Sequence, residues 1–547
     1  MDSQDMDEDT SFVSELTEKE VVELHKLLPG FKQEVVTRLE MLESVENLDP
    51  LNQFRVIGWL VDFGGDLDDN LAITKGIELG ESIDKSKLSS QNRGMLHYRL
   101  GTAYSNRASI TTHDGNQWSW AIPDIEEAMK QYRRAIQEED FEILPEMEQW
   151  RALTNLGNLY STVGRFVEAF DYWNEALIRQ PYWFPARGQR GIGFLYYANH
   201  DYDAGHKTIL LKKAYDELEF AGLDQYIGIS PESTTQRFLQ IKDRVAAQFE
   251  SPPPSDEILD FEGSDLGNTE EEKQYRRWCL NHRLFLNTLN DVTDDPVAAR
   301  DILNLGQIRS ERTERIVSCL GLWNQLVEEY VTARYLLYEG LSPSSEHFAD
   351  NGVQHMNTLD YPIHSIYGEK LKIALRTAYS IFDKIGQFIN YYFECGRDLT
   401  ELDFTDIWYT ERHGDELREQ FQNKPNLPLR GLYWLSKDFG EWDLHIEGSI
   451  DKSGRKLADI RDALEHRYVK LTMVPTREDN ETERFNDELA TTIVRDDLED
   501  QALAMLRKAR AGLIYLALAV NMEEELKAGS DELAMPLQFG PLQPGPQ

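Results

Sequence analysis

The chain has 547 residues, 41% of them hydrophobic, and carries 97 acidic against 57 basic side chains, for a net charge of −40. Such a length exceeds a single hydrophobic core and calls for roughly two to four domains. The acid excess excludes broad coating of nucleic acid, which draws on Lys and Arg, and leaves room only for a local basic site.

Helical periodicity dominates, alternating strand-like patterns are scarce, and an almost all-α protein is expected. Residues 1–15 read as an acidic, disordered tail, the opposite of a signal peptide. A helical domain follows over 16–250 and begins near Thr17, where Thr17-Glu18-Lys19-Glu20 is a capping-box pattern. Within Trp150–Pro181, Leu156-Gly157, Tyr160, Ala169, Trp173, Ala176 and Pro181 fall at the spacings of a tetratricopeptide repeat. Small residues there let two helices approach, large ones fill the gap, and the proline ends the unit. A looser copy precedes it, with Leu100-Gly101 and Tyr104 on one helix and Ala128, Tyr132 and Ala135 on the next, interrupted around 111–120. A degraded copy with Gly191, Phe194 and Ala204 follows. Units of this kind stack because none buries its apolar face alone. The resemblance to tetratricopeptide proteins covers roughly 90–225. It implies a concave surface for a protein or peptide partner, or else a packing spacer without a ligand.

Residues 251–273, opening on Ser251-Pro252-Pro253-Pro254-Ser255 and then acidic, read as a linker. A second helical domain is expected over 274–527, with helices at 278–290, 297–306, 314–339, 368–394, 429–438, 453–473 and 498–526, and a tail over 528–547. The longest apolar run, Ala511–Val520, is half of what a membrane span needs, so a cytoplasmic protein with no membrane partner is expected. Cys279, Cys319 and Cys395 are scattered without a C-x-x-C, which argues against a disulfide framework or a zinc knuckle.

The helix over 453–473 carries the chemistry. Ser453 is its candidate N-cap and Pro475 limits its extent. Leu457, Ile460, Leu464, Tyr468 and Leu471 form an apolar stripe, and His466 points nearly opposite it. Asp462 lies one turn before His466 on the polar side, and Arg461 sits at the stripe's edge within reach of the imidazole. Lys452, Arg455, Lys456, Arg461, Arg467 and Lys470 outnumber Asp451, Asp459, Asp462 and Glu465, against the trend of the chain. Histidine suits proton transfer near neutral pH, and arginine suits the charge of a phosphate under attack. These groups fit attack by an RNA 2′-hydroxyl on its own phosphate. One histidine is thin for both proton steps, and a twofold dimer would supply two. A plainer reading also stands: Arg461 pairs with Glu465 at i,i+4 and His466 is solvated. Other arginine–histidine spacings occur, from Arg276 and Arg277 to His282 and from Arg107 to His113. Only Arg461 is followed directly by a carboxylate.

Three segments, Y-R-R-W-C-L-N-H from Tyr275, G-L-Y-W-L-S-K-D-F over 431–439 and I-R-D-A-L-E-H-R-Y-V-K-L over 460–471, resemble one HEPN subfamily (higher eukaryotes and prokaryotes nucleotide-binding domain) over about 275–525. Bacterial members are often fused to tetratricopeptide repeats. The resemblance implies a helical bundle, commonly dimeric, and a metal-independent endoribonuclease with an R-[polar]-x3–5-H signature, acting in antiphage defence or as a toxin. Arg461, Asp462 and His466 match that signature. Lys452, Arg455, Lys456, Arg467 and Lys470 are the expected RNA-binding cations. No metal and no cofactor are expected. The rival is a non-catalytic repeat scaffold whose HEPN-like half dimerises or binds nucleotide.

Three weaker patterns are read as structural. Gly188, Gly191 and Gly193 follow no strand and suit helix packing rather than a phosphate loop. His347, His355 and His364 are too irregular for a metal site. Tyr433 and Trp434 are expected to fill core rather than stack bases.

Overall fold

The computed structural model describes residues 16–17, 19–21, 24, 32–113, 119–137, 141–249, 265–310, 312–342, 347–356, 362–398, 402–412, 414, 416–439, 463, 468–473 and 489–527. Both expected tails and most of the proline-rich segment lie outside these residues. The described part is all-α apart from one two-stranded sheet. It divides into two compact units, one of residues 1–159, 175–181 and 448–451 and one of the remainder.

In the first unit the capping box forms as written: the Glu20 carboxylate accepts from the Thr17 N–H at 2.8 Å, and Thr17 Oγ1 accepts from the Glu20 N–H at 3.4 Å. The helices are α1 (Lys32–Leu39), α2 (Pro50–Asp66), α3 (Asn70–Ser82), α4 (Ser90–His113), α5 (Pro123–Gln137) and the larger part of α6 (Glu146–Thr162). Asp49 starts α2 by accepting from the Asn52 N–H, with Pro50 in the first turn where no N–H is needed. Val36, Leu39, Val56, Ile57, Leu60, Val61, Ala72, Ile73, Leu96 and Leu100 form the core. The close packing of α4 on α5 depends on Gly101, where an added Cβ would stand 2.8 Å from the Tyr132 ring. Tyr132 is itself buried and donates to Thr102 Oγ1.

The second unit takes in most of α7 (Phe166–Arg179), then α8 (Phe184–His200), α9 (Ala204–Ala221), α10 (Glu232–Ala246) and α11 (Glu270–Asn281). Gly188, Gly191 and Gly193 lie within α8, and a Cβ on them would meet Phe238, Leu218 and Trp173 respectively, so these glycines serve helix packing. The turn before α7 contacts the core of this unit backbone to backbone. Gly164, at φ +95°, has the Leu427 carbonyl 2.1 Å from where its Cβ would be. Next to it the buried Arg165 donates to Glu168, to the Trp434 carbonyl and to both oxygens of Asp438.

The helix expected over 278–290 is helical only to Asn281, and the one expected over 297–306 does not form. Helix α11 ends at Asn281 and Arg283 takes φ 54°. Beyond it only two short 3-10 turns occur, Thr288–Asp291 and Pro296–Ala298. Side chains replace the helical hydrogen bonds. Asn290 bridges the Phe285 N–H and the Leu280 carbonyl, and Asn287 accepts from the Leu289 N–H. Two buried arginines pin the segment from outside. Arg334 donates to the Leu284 carbonyl and to both oxygens of Asp301, and Arg510 to the Phe285 and Asn287 carbonyls and to Asp291. A helical pattern in sequence cannot reveal partners more than 200 positions away.

Helices α12 (Thr313–Gly340), α13 (Ile366–Tyr392), α14 (Leu427–Ser436) and α15 (Arg495–Leu526) form a bundle around α15. From Ala509 to Asn521 every residue of α15 is buried, so its apolar run is the centre of the bundle. No described helix is long and apolar enough to cross a membrane. Tyr433 and Trp434 are buried in α14, as the sequence indicates.

The expected helix over 453–473 needs correction. Its last part is a strand, β1 (Tyr468–Thr472), paired in parallel with β2 (Ala490–Val494), with Leu471 opposite Ile493. Tyr, Val and Thr in β1 and Thr, Ile and Val in β2 suit a pleated surface, and residues 473–489 supply the long connection a parallel pair needs. Val469, Lys470 and Leu471 are all buried, as both faces of a parallel strand tend to be. On its other edge β1 accepts from the Ile363 N–H through the Leu471 carbonyl at 2.7 Å.

Candidate functional site

Arg461, Asp462, His466, Lys452, Arg455, Lys456 and Arg467 lie outside the described residues. Ala463, inside the same hexapeptide, is helical and buried. Lys470 is described, and its place differs from the expected exposed helix face: it lies on β1 at 7% exposure.

Lys470 lines a cavity of about 520 Å³ between β1 and the start of α13. Glu369, Lys372, Ile373 and Arg376 enter it at i, i+3, i+4 and i+7, one face of α13. The opposite wall is Tyr468, Val469, Lys470 and Leu471, and Pro362, Ile363 and His364 close one side. Local structure fixes both walls. Ser365 caps α13 by accepting from the Gly368 N–H, and Asp350 accepts from the Ile366 N–H. Gly368 lets the strand come close, since a Cβ there would stand 2.8 Å from Leu471.

Among the described residues three cations, Lys372, Arg376 and Lys470, line the cavity against one carboxylate, Glu369. Lys372 holds Glu369 at 2.7 Å. Arg376 is exposed and has no hydrogen bond or ion pair among the described residues. The His364 ring stacks on His355 at 4.1 Å with 12° between planes. Tyr468 and Ile373 are 45% and 39% exposed. The combination of cations and exposed apolar surface suits an anionic ligand with a flat apolar part. Sequence reasoning missed Lys372 and Arg376. The signal was there: two cations one turn apart, Lys372 and Arg376, on an otherwise amphipathic helix.

Of the competing arginine–histidine spacings, those from Arg107 and Arg276 start at arginines with structural employment. Arg107 grips Asp124 through two hydrogen bonds of 2.8 and 2.7 Å. Arg276 donates to the Ala299 carbonyl and pairs with Glu272. The His282 carbonyl accepts from Arg507, and burial, with Arg507 nearby, holds its imidazole pKa below the usual value. His347 accepts from the Ala349 N–H as a cap. No group of three His, Cys, Asp or Glu among the described residues is arranged to hold a metal.

Residues 310–523 match the LA2681-like HEPN family. The matched HEPN-like region contains α12, α13, α14, all but the last three residues of α15, both strands, the cavity and the Arg461–His466 hexapeptide. It begins later than the resemblance drawn from Tyr275, so α11 and the arginine-pinned segment up to Ile308 precede it. No curated protein matches the chain. No solved structure matches it either.

Proposed function

We propose that the chain is a HEPN-type endoribonuclease that works without a metal. What carries the reading is a HEPN family match that spans Arg461, Asp462 and His466, together with a cation-lined cavity whose wall starts two residues after His466.

In this reading His466 takes the proton from a ribose 2′-hydroxyl. The freed oxygen bonds to the adjacent phosphorus, the bond to the 5′-oxygen breaks, and an imidazolium returns a proton to that leaving oxygen. Arg461 neutralises the equatorial oxygens of the pentacoordinate phosphorus, and Asp462 orients the imidazole. A dimer through the HEPN-like region would give one histidine each for the base and acid steps. Lys452, Arg455, Lys456, Arg467 and Lys470 would hold the RNA backbone. The helix pair α4–α5 in the first unit and the pair α8–α9 in the second each support the tetratricopeptide-type reading, and a protein or peptide docked on such a pair would restrain a cytoplasmic toxin or antiphage enzyme. A second reading draws on the same cavity, whose cations also suit the phosphate of a free nucleotide: the HEPN-like half then binds or dimerises without cutting.

Expression in a bacterial host separates the two. The wild-type chain should arrest growth and degrade RNA, and His466→Ala should do neither. Equal behaviour of the two chains would remove the nuclease reading.

A further inference from the structure

We infer that the cavity between α13 and β1 is a subsite for one nucleotide of single-stranded RNA, with Arg376 and Lys372 taking a phosphate and Tyr468 and Ile373 taking the base. The inference rests on the ribonuclease reading and deepens it, by naming the form of RNA and the residues that position it.

Charge is the first support. In a chain of net charge −40, Lys372, Arg376 and Lys470 line one concave space with Glu369 as the carboxylate among its described lining residues, which favours a local positive potential. Arg376 contributes most, because among the described residues nothing neutralises it. Its planar fork suits two phosphate oxygens at once. Lys372 adds charge from one turn earlier, partly offset by Glu369. Lys470 adds it from the opposite wall.

Shape and polarity are the second support. The volume of about 520 Å³ lies in the range of sites that take a single small ligand. A space of this size suits one unstacked nucleotide better than a base-paired helix. Tyr468 and Ile373 expose 45% and 39% of their surface at the rim. A tyrosine ring in that position offers a face to any base, which is how single strands are held without a strict sequence code.

Covalent reach is the third. Tyr468 follows His466 by two residues, so their Cα atoms are at most about 7 Å apart. A base against Tyr468 would therefore lie within a few nucleotides of the one being cut. The subsite positions RNA, and its residues act through binding and not on the reacting bonds.

The test uses the full chain and a short fluorescent single-stranded RNA with a 2′-O-methyl group on every ribose, which removes the nucleophile. Fluorescence anisotropy is read across a salt series. Arg376→Ala should weaken binding about tenfold or more and flatten the slope of log K against log salt by about 0.7. Arg376→Lys should restore most of the slope and less of the affinity. Tyr468→Ala should weaken binding by about 5- to 150-fold with the slope unchanged. Duplex RNA should compete poorly. Wild-type binding with none of these changes in Arg376→Ala would overturn the subsite and leave the nuclease reading intact. Failure of the wild-type chain both to bind this probe and to cut unmodified RNA would overturn the nuclease reading, and the subsite with it. Arg376 is exposed and unpaired within the described structure, so its replacement leaves the fold alone and decides the matter even if Tyr468→Ala disturbs β1.

Discussion

Arg510→Met should destabilise the second unit by about 4 kcal/mol. Arg510 is 2% exposed and makes four hydrogen bonds, to the Phe285 carbonyl at 2.6 Å, the Asn287 carbonyl at 2.9 Å and the two Asp291 oxygens at 2.7 and 3.1 Å. Methionine fills similar space with no donor. It strands a carboxylate whose side chain is 2% exposed and whose remaining hydrogen-bond partner among the described residues is the Tyr197 hydroxyl at 3.0 Å. Removing one member of a buried pair costs about 3–5 kcal/mol, and two orphaned carbonyls add to it, although not additively. The assay is urea unfolding followed by tryptophan fluorescence. A second change isolates the cause. Asp291→Asn in the Arg510→Met background removes the stranded charge while keeping an acceptor for Tyr197, and it should recover about half the loss. A cost below about 1 kcal/mol, or a double variant no better than the single, would refute the view that this pair pins the 282–301 segment to α15.

Gly164→Ala should cost about 3 kcal/mol or more in the same assay, because a Cβ would sit 2.1 Å from the Leu427 carbonyl at φ +95°, and backbone cannot turn aside. Gly228→Ala, at φ +75° with nothing within 4 Å, should cost only about 1–2 kcal/mol. The three cysteines should resist iodoacetamide in the native chain at pH 8 and react once it is unfolded. Burial pushes the Cys279 thiol up to about 12 and those of Cys319 and Cys395 to about 11, which leaves almost no thiolate. Mass spectrometry of peptides reads the result, and rapid native labelling of Cys279 would contradict the packing around it.

Much of the fold was legible because local rules and global packing agree. The Thr17–Glu20 box, the pairing of Gly101 with Tyr132 and of Gly193 with Trp173, and the wholly apolar stretch of α15 each follow from residue type and spacing. What failed was decided at long range. Asn287, Asn290 and Asp301 spend their side chains on nearby backbone, and Arg334 and Arg510 reach in from distant helices, so a helical pattern over 278–306 becomes irregular beyond Asn281, with 284–291 buried. Tyr468 and Leu471 are three apart, which fits a helix face. Pairing with Ala490–Val494 and contact from Ile363 instead make them a strand. The cavity escaped notice for the same reason: Lys372 and Arg376 belong to one element and Lys470 to another, and the Gly368 contact with Leu471 and the Ile363 hydrogen bond bring them together.

Product-end chemistry tests the ribonuclease reading most directly. Full-length protein is incubated with end-labelled RNA in EDTA, and the cleavage products are mapped and their termini identified by mass spectrometry. Wild-type chain should give 2′,3′-cyclic phosphate and 5′-hydroxyl ends with EDTA present, and His466→Ala should lose about 10²-fold or more of the rate. Cleavage that stops on chelation, products with 5′-phosphate ends, or a fully active His466→Ala chain would contradict it.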